Sequence, residues 1–511
     1  MNIARNLERS ACFFPSRPVI SEGGSETTYA QLNERANRIA TALIRLGVQP
    51  GDPIGLCAPN SGDWLAFYFG VLKVGAVAVT MSSLLKPSEL ALSINDSLPK
   101  VMYSYEEKLD DLKGMKRPGV LERIICPGGD LDLDRLAETG TGAFKAPERD
   151  RSDTAAILFT GGTTGIPKGV LLSHENISTA IPLSHENIST AIQNVVFNER
   201  SNENDRALCF LPFNHVFGQM HIMNATILSG GCLDLLPTFD MEKVLHAIKA
   251  GRVTKLFAVP TIYVRLLSLD RIKERLGSVR YCFSAAASMA AEIVRRWKDE
   301  TGLSIHEAYG MTESASMVTY NHYYRHVVGS VGTPVSGEEV QIRDLEGHIK
   351  ATGEEGEICI RGRNIMKGYL NQPEETASVF WDDWFRSGDL GQIDDHGYLY
   401  IVDRLKDMII TGGENVYPRE IEEILYSFPE VEECTVIGLP DKEWGERVIA
   451  LIIPKPEMAI DPSVLSSRLK QRLSPFKVPK EYHMVNAFPK SSAGKILKRE
   501  LRKQYLDEQG G

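Results

Sequence analysis

Metal-clamp and disulfide spacings are absent from this 511-residue chain. Its eight cysteines stand at 12, 57, 126, 209, 232, 282, 359 and 434, with no C-x-x-C pair. That excludes the common zinc spacings and predicts reduced, mostly buried thiols in a cytoplasmic protein. Long single-sign charge blocks are missing too. The 57 basic and 67 acidic residues leave a net charge of −10, which argues against a primary nucleic-acid or anionic-membrane surface. The locally basic stretch 490–503 reads as a solvated helix face. The first residues carry acid within a helical pattern and lack an apolar signal core. Residues 64–85 are nearly apolar and long enough to suggest a membrane span, but Gly70, Lys73 and Gly75 interrupt them. A buried helix over 64–74 turning into a strand over 76–80 is the expectation, with no transmembrane span.

What is present centres on Phe159-Thr-Gly-Gly-Thr-Thr-Gly-Ile-Pro-Lys-Gly-Val170, set between the apolar runs Ala155-Ala-Ile-Leu158 and Val170-Leu-Leu172. Glycines let a backbone turn sharply and bring its N–H groups close to an anion, while hydroxyls and an ammonium add donors. A strand–loop–strand of this content predicts a phosphate cradle. It is not a Walker A loop: Pro167 stands where the glycine before the lysine is required, and Gly169 where a Ser or Thr would bind magnesium.

Around that loop, residues 18–80 alternate short β-like runs with amphipathic helices, among them Leu32, Ala36, Ile39 and Leu43 at helical spacing. A second βα series runs over 206–308, with strands expected at Ala207-Leu-Cys-Phe-Leu211, Cys232-Leu-Asp-Leu-Leu236, Lys255-Leu-Phe-Ala-Val259 and Val279-Arg-Tyr-Cys-Phe283. Repeated βα units predict an α/β fold of mostly parallel, helix-covered sheets. Ligands bind outside the C-terminal ends of such strands, so Asn214-His-Val-Phe-Gly218, Ser284-Ala-Ala-Ala-Ser288 and Tyr309-Gly-Met-Thr-Glu313 form the candidate site. From 329 to 402 short strands with Gly/Asp turns predict a small β-rich subdomain, and a compact α+β unit follows. The length allows roughly two to four domains; the division expected is 1–403, a large domain, and 404–511, a small mobile one. One oddity interrupts the order. Leu172-Ser-His-Glu-Asn-Ile-Ser-Thr-Ala-Ile181 is followed by Pro182 and then by the same ten residues over 183–192. Proline opposes a continuous helix, so one copy is expected to bulge out before the helix resumes at Gln193-Asn-Val-Val196.

Five stretches occur in one order: Thr160-Gly-Gly-Thr-Thr-Gly-Ile-Pro-Lys-Gly169, Tyr309-Gly-Met-Thr-Glu313, Ser387-Gly-Asp389, Asp403-Arg-Leu-Lys-Asp407 and Pro489-Lys-Ser-Ser-Ala-Gly-Lys495. Together they resemble the motif series of the adenylate-forming (AMP-binding) superfamily, and most of all its acyl-CoA synthetases, over essentially the whole chain. The resemblance implies a carboxylic acid, ATP with Mg2+, and coenzyme A as reactants, in a monomer or homodimer. A carboxylate would attack the α-phosphate, giving an acyl-adenylate and pyrophosphate, and a thiol would then displace AMP.

The resemblance also implies roles. Thr160, Gly161, Gly162, Thr163, Thr164, Gly165 and Lys168 would clamp the β- and γ-phosphates, Gly161 standing where many relatives have serine. Glu313 would hold magnesium, with Thr164 a neighbour. Tyr309 and Gly310 would lie along adenine with Ala286, Thr312 would face the α-phosphate, and Asp389 would accept from the ribose hydroxyls. Arg404 and Lys406 would mark the ribose contact and the hinge. Lys495 would meet charge building on the α-phosphate. Gly412 and Gly413 would line a pantetheine channel after a rotation of the small domain. His215 resembles the gate beside the carboxylate, with a satisfied structural histidine as the other reading. No acid follows residue 211 until Asp234, which disfavours an amino-acid substrate. An acyl pocket drawn from Phe217, Met220, His221, Ala285, Ala286 and Met317 suits a hydrophobic organic acid; Arg325 could serve a second carboxylate or only the surface. An acyl-AMP ligase loading a carrier protein, or a catalytically impaired nucleotide-binding homologue, are the alternatives.

Overall fold

A computed structural model describes residues 2–116, 119–161, 167–177, 191–250, 252–456, 458–491 and 494–509. Two seven-stranded sheets dominate it. In the first, strands Ile305–Glu307, Tyr281–Ser284, Lys255–Ala258, Arg206–Cys209, Cys232–Leu235 and Pro18–Glu22 run parallel in that spatial order, closed by the antiparallel edge strand Ser25–Thr28. The second is parallel through Thr154–Gly161, Val77–Thr80, Pro53–Cys57, Val101–Ser104 and Arg123–Ile125. Beyond Thr154–Gly161 it turns antiparallel, through Pro167–Ser173 to Gly368–Tyr369.

The nearly apolar run is a helix, Gly62–Val74, buried from Trp64 onward and followed by Val77–Thr80. Ser61 caps its start, accepting from Trp64 N, and Gly75 ends it in the left-handed region. It lies against helix Tyr29–Arg45 so closely that a Cβ on Gly70 would sit 2.6 Å from Ile39 Cγ2. Leu32, Ala36, Ile39 and Leu43 are the buried stripe of that partner helix, whose entry is a Thr28/Gln31 capping box. Apolar all round here means packed on both sides, and even Lys73 is buried, paired to Glu8 at 2.7 Å. Among the described residues no helix is long and apolar enough to cross a membrane. Seven cysteines are buried, Cys12 is exposed, and all are free.

The β-rich stretch is a five-stranded antiparallel sheet in which Glu338–Arg343, Gly356–Gly362, Trp384–Ile393 and Leu399–Arg404 are successive neighbours, with Phe380–Trp381 on Trp384–Ile393. After it, strands Val431–Asp441 and Gly445–Pro454 and helices Pro418–Tyr426 and Pro462–Lys470 enclose a separate core around Ile421, Val436, Ala450 and Leu465. Boundaries differ from the expected ones by a few residues. Arg206–Cys209 stops two short of Leu211, and Val431–Asp441 runs long because its whole length pairs with Gly445–Pro454. The duplicated segment divides: 172–177 of the first copy end strand Pro167–Ser173 and form the turn of helix His174–Ile177, while Ala191 and Ile192 of the second begin helix Ala191–Asn198. The bulge expected between them falls on 178–190, outside the described residues.

Candidate active site

The parallel strands of the first sheet end on one rim, and the three expected site segments follow them. After Arg206–Cys209 the chain turns through Phe213 and Asn214 into a π-helix, Phe217–Asn224, a conformation frequent at functional sites. His215 stands just before it and accepts from Phe217 N at Nδ1, 3.2 Å. Burial, and next the charge of Lys495, push the His215 pKa down to about 4, so the ring is neutral with its proton on Nε2. After Tyr281–Ser284 come Ala285 and Ala286, and after Ile305–Glu307 come Tyr309, Gly310, Thr312 and Glu313. Ala286, Ala315 and Ser316 all hold positive φ, at 70°, 52° and 136°, a strain of about 1–3 kcal/mol each that surrounding structure must enforce. Among the described residues the Ser284 Oγ, which is buried, has no hydrogen-bond partner.

A second set of side chains converges from the β-rich sheet. Asp389 and Arg404 are cross-strand partners, and Arg404 Nε lies 3.1 Å from Asp389 Oδ1. Tyr309 OH donates to Asp389 Oδ2 at 2.8 Å. One buried carboxylate thus ties the first sheet's rim to the β-rich subdomain. Lys495 arrives from the small domain on the loop after Lys490, closed by Ser491 N to Lys495 O at 2.8 Å and Lys495 N to Ser491 Oγ at 3.2 Å. The loop docks tightly: a Cβ on Gly494 would sit 2.9 Å from Val259 Cγ2. Burial, then Arg404, pushes the Lys495 pKa down to about 7, with Asp389 and Asp407 opposing and Lys406 assisting. Lys406 is itself lowered, by burial and then by Arg404. A cavity of about 250 Å³ adjoins the loop, walled by Asn60, Pro212, Asn214, Val259, Lys490 and Gly494.

The strands flanking the expected phosphate cradle pair antiparallel, with Thr160 opposite Lys168 and Gly161 opposite Pro167. Gly162, Thr163, Thr164 and Gly165 lie outside the described residues. Lys168 pairs with Glu375 and lies over the Tyr369 ring, 5.0 Å from its centroid. Tyr369 OH donates to Glu313 Oε1 at 3.1 Å. Burial raises the Glu313 pKa despite that bond, so its carboxylate is a desolvated acceptor suited to a cation. Among the described residues no group of three or more His, Cys, Asp or Glu is placed to hold a metal. Glu313 therefore fits magnesium only as one carboxylate beside nucleotide phosphates, the common way that ion is held.

His215, Ala286, Tyr309, Gly310, Thr312, Glu313, Asp389, Arg404, Lys406 and Lys495 are thus brought around one rim. Gly412 and Gly413 are not among them. They form the exposed turn between Ile409–Thr411 and Glu414–Val416, and a Cβ on Gly412 would meet Trp444 at 3.0 Å. Arg325 is exposed and stacks over Tyr398 at 5.8 Å, which favours its surface reading. Sequence reasoning missed Tyr369 and Glu375. Their signal was a Gly-Tyr strand followed by acid, visible only once Gly368–Tyr369 pairs with Val170 and Leu171.

With this geometry in place, comparison with known proteins is direct. The family profile "AMP-binding enzyme" matches residues 7–370, and "AMP-binding enzyme C-terminal domain" matches 420–495. A feruloyl-CoA synthase of Amycolatopsis sp. is 35% identical over 502 residues, covering 97% of this chain and 98% of that protein. A long-chain-fatty-acid–CoA ligase of Bacillus subtilis is 33% identical, covering 98% and 94%. ATP-bound MatB from Rhodopseudomonas palustris superposes with a TM-score of 0.91 at 34% identity over 99% of both chains. Apo MatB gives 0.79, so the arrangement of this chain is closer to the ATP-bound form. The matched profiles and the full-length relatives establish that the chain belongs to the AMP-binding enzymes, as an acid–thiol ligase of the adenylate-forming superfamily.

Proposed function

We propose that this chain activates a hydrophobic carboxylic acid as its acyl-adenylate and passes the acyl group to coenzyme A. The observation that carries the reading is Lys495, brought by the small domain into the buried cluster of Asp389, Arg404 and His215. An ammonium there offsets charge that develops on the α-phosphate as the acid's carboxylate oxygen bonds to phosphorus and pyrophosphate leaves. The CoA sulfur then bonds to the acyl carbon, the thiol proton goes to solvent, and AMP leaves. Asp389 holds the ribose hydroxyls, and Tyr309, fixed by its bond to Asp389, presents its ring to adenine. Lys168 exchanges Glu375 for phosphate oxygens. Glu313, together with the nucleotide phosphates, would hold magnesium, which when bound would supply charge neutralisation. Residues 1–403 act as the adenylating domain and 404–511 as the part that repositions. The cavity beside Gly494, whose walls combine Pro212, Val259, Asn60 and Asn214 with the cations of Arg265 and Lys490, supports a narrow approach for a pantetheine arm. Apolar Phe217, Met220 and Met317 support a hydrophobic acid, as do relatives named for feruloyl and long-chain fatty acyl substrates.

Acid-dependent ATP–pyrophosphate exchange over a panel of aryl and alkyl acids tests the reading, followed by AMP release with free CoA. Exchange together with CoA thioester is the expected result. Exchange without a CoA thioester, but with acylation of a pantetheinylated carrier protein, would reassign the acceptor. The absence of exchange with every acid, in folded protein, would overturn the reading. A pH profile adds a second expectation. Lys495 is charged below its lowered pKa and neutral above it, so kcat/KM for ATP, which reports the free enzyme, should be flat below about pH 7 and fall above it. His215, already neutral above about pH 4, does not titrate in that window. At saturating ATP the phosphates stabilise the ammonium, and the fall in kcat should move to higher pH.

A further inference from the structure

Helix Ala291–Thr301 of the large domain, which follows the Ala286 segment, begins without a cap of its own. Ala290 stands where Ser, Thr, Asp or Asn usually accepts from the first turn, and it makes no side-chain bond there. The acceptor comes instead from the small domain. Glu423, on helix Pro418–Tyr426, takes the Ala291 N–H at Oε2, 3.1 Å. A carboxylate suits that end of a helix, where unbonded N–H groups concentrate positive potential. Burial pushes the Glu423 pKa up, with Arg419 and then the Ala291 N–H opposing; Arg419 Nη2 lies 3.8 Å from Glu423 Oε1.

Two further contacts fasten the same helix to the large domain. Arg419 N donates to Asp403 Oδ2 at 2.9 Å, and Arg419 Nη1 donates to the carbonyl of Ile401. Asp403 in turn accepts from Arg404 N at Oδ1, 2.7 Å. Water is largely excluded from this seam. Glu307, 5% exposed on the large-domain side, has an Oε2 without a partner among the described residues, and burial pushes its pKa up to about 8, with Arg419 opposing and Glu423 adding. A charged hydrogen bond in such surroundings is stronger than one at the surface. Within the small domain the helix connects to the loop of Lys495. Glu422, beside Glu423, pairs at 2.8 Å with Lys498, three residues beyond Lys495, and Ile421 and Leu425 share a core with Val436. The cap on Ala291 and Lys495 thus belong to one packed unit.

Building on the acyl-CoA ligase reading, we infer that Glu423 is a positioning residue for adenylation: by capping Ala291 it latches the small domain onto the large one with Lys495 in the site, and the latch opens when the small domain turns for thioester formation. Glu423 acts through Lys495 and lies apart from the residues assigned to nucleotide and acid. Its bond to Ala291 exists only while helix Pro418–Tyr426 lies on helix Ala291–Thr301. It therefore stabilises the adenylating arrangement alone and shifts the balance between the two. One charge-assisted bond is enough to bias that balance by about tenfold or more, and a single bond is readily released in each turnover.

Two variants remove the same bond from opposite sides. Glu423→Ala deletes the acceptor. Ala291→Pro deletes the donor at the first helical position, where proline is well accommodated, and Ala290 before it is already extended at ψ 131°. In both, acid-dependent pyrophosphate exchange should fall by about five- to tenfold, while thioester formation from supplied acyl-adenylate and CoA holds within about twofold or rises. The double variant should lose no more than either single one, because the two share one interaction. Glu420→Ala makes the same change on the same helix but breaks only the pair with Lys477 inside the small domain, and should leave both half-reactions within about twofold. Energy transfer between a dye on Cys12, the exposed cysteine, and one on Glu443→Cys reads the domain arrangement without chemistry. With ATP present its efficiency should shift in Glu423→Ala and Ala291→Pro and stay at the wild-type value in Glu420→Ala. Unchanged exchange, equal losses in both half-reactions, additive losses in the double variant, or unshifted energy transfer would overturn the inference while leaving the ligase reading intact. Failure of every acid to support exchange in the wild-type protein would overturn both.

Discussion

Lys495→Ala is expected to slow acid-dependent pyrophosphate exchange by roughly 100- to 1,000-fold, while thioester formation from supplied acyl-adenylate and CoA stays within about threefold of wild type. The asymmetry follows from where Lys495 comes from. Its loop closes on Ser491 through three short hydrogen bonds and docks against Val259 through a glycine; without it, Tyr309 stays bonded to Asp389 and Glu313 to Tyr369. Removing the ammonium therefore leaves the nucleotide face intact and deletes the one mobile charge proposed for the α-phosphate. The second half-reaction expels AMP after the acyl–phosphate link exists and does not need that charge. Rapid-quench measurement of each half-reaction separates the two. Equal losses in both would mean that Lys495 supports the site structurally, and the proposal that one rim serves two reactions in turn would fall.

Much of this arrangement was legible in the residues, unevenly and for physical reasons. The helix Gly62–Val74 could be read because its length and the interruptions at Gly70, Lys73 and Gly75 leave few other options for so apolar a run. The strand ends carrying His215, Ala286 and Tyr309 followed from βα alternation and the rule that such sheets use their C-terminal rim. Asp389 was different. As a Ser-Gly-Asp turn it carried no signal of its own, and its importance rests on a register that places it opposite Arg404 and within 2.8 Å of Tyr309 OH, residues distant in the chain. Only the order of the motifs pointed to it. The Lys168–Glu375 and Glu199–His221 pairs were not legible at all. Each joins polar residues across long sequence gaps, and an isolated glutamate or histidine in sequence reads as an ordinary solvated or core side chain. His221 was placed in the acyl pocket as lining; the Glu199 carboxylate behind it, 2.7 Å from Nε2, emerges only from the structure. Gly412 and Gly413 show the converse. Two glycines suggested a channel, yet in this arrangement they sit in an exposed turn.

Gly310→Ala should be as damaging as loss of the lysine, although it adds a single methyl group. An ideal Cβ at Gly310 falls 1.5 Å from the carbonyl oxygen of Ser316, 2.6 Å from its carbonyl carbon and 3.1 Å from Met317 Cα. All three are backbone atoms, so no side chain can swing aside, and one of two loops has to move by an ångström or more. Both loops belong to the site. Moving the first breaks the bond from Tyr309 to Asp389 and displaces Thr312 and Glu313. Moving the second disturbs Ser316, already held at φ 136° where further adjustment is costly. Overpacking of this kind costs typically about 1–3 kcal/mol, which a protein of this size can survive. A folded variant with a lowered Tm is therefore expected, with pyrophosphate exchange reduced by at least about 100-fold, in line with the cost of displacing groups that position substrate. Gly413→Ala provides the contrast. Its φ of 84° makes alanine strained, but nothing lies within 4 Å of the added atom, and its exchange rate should stay within about threefold of wild type because only local backbone strain is added. Near-normal exchange by folded Gly310→Ala would show that the 309–313 segment tolerates displacement, and the nucleotide face assigned to Tyr309, Thr312 and Glu313 would have to be sought elsewhere on the rim.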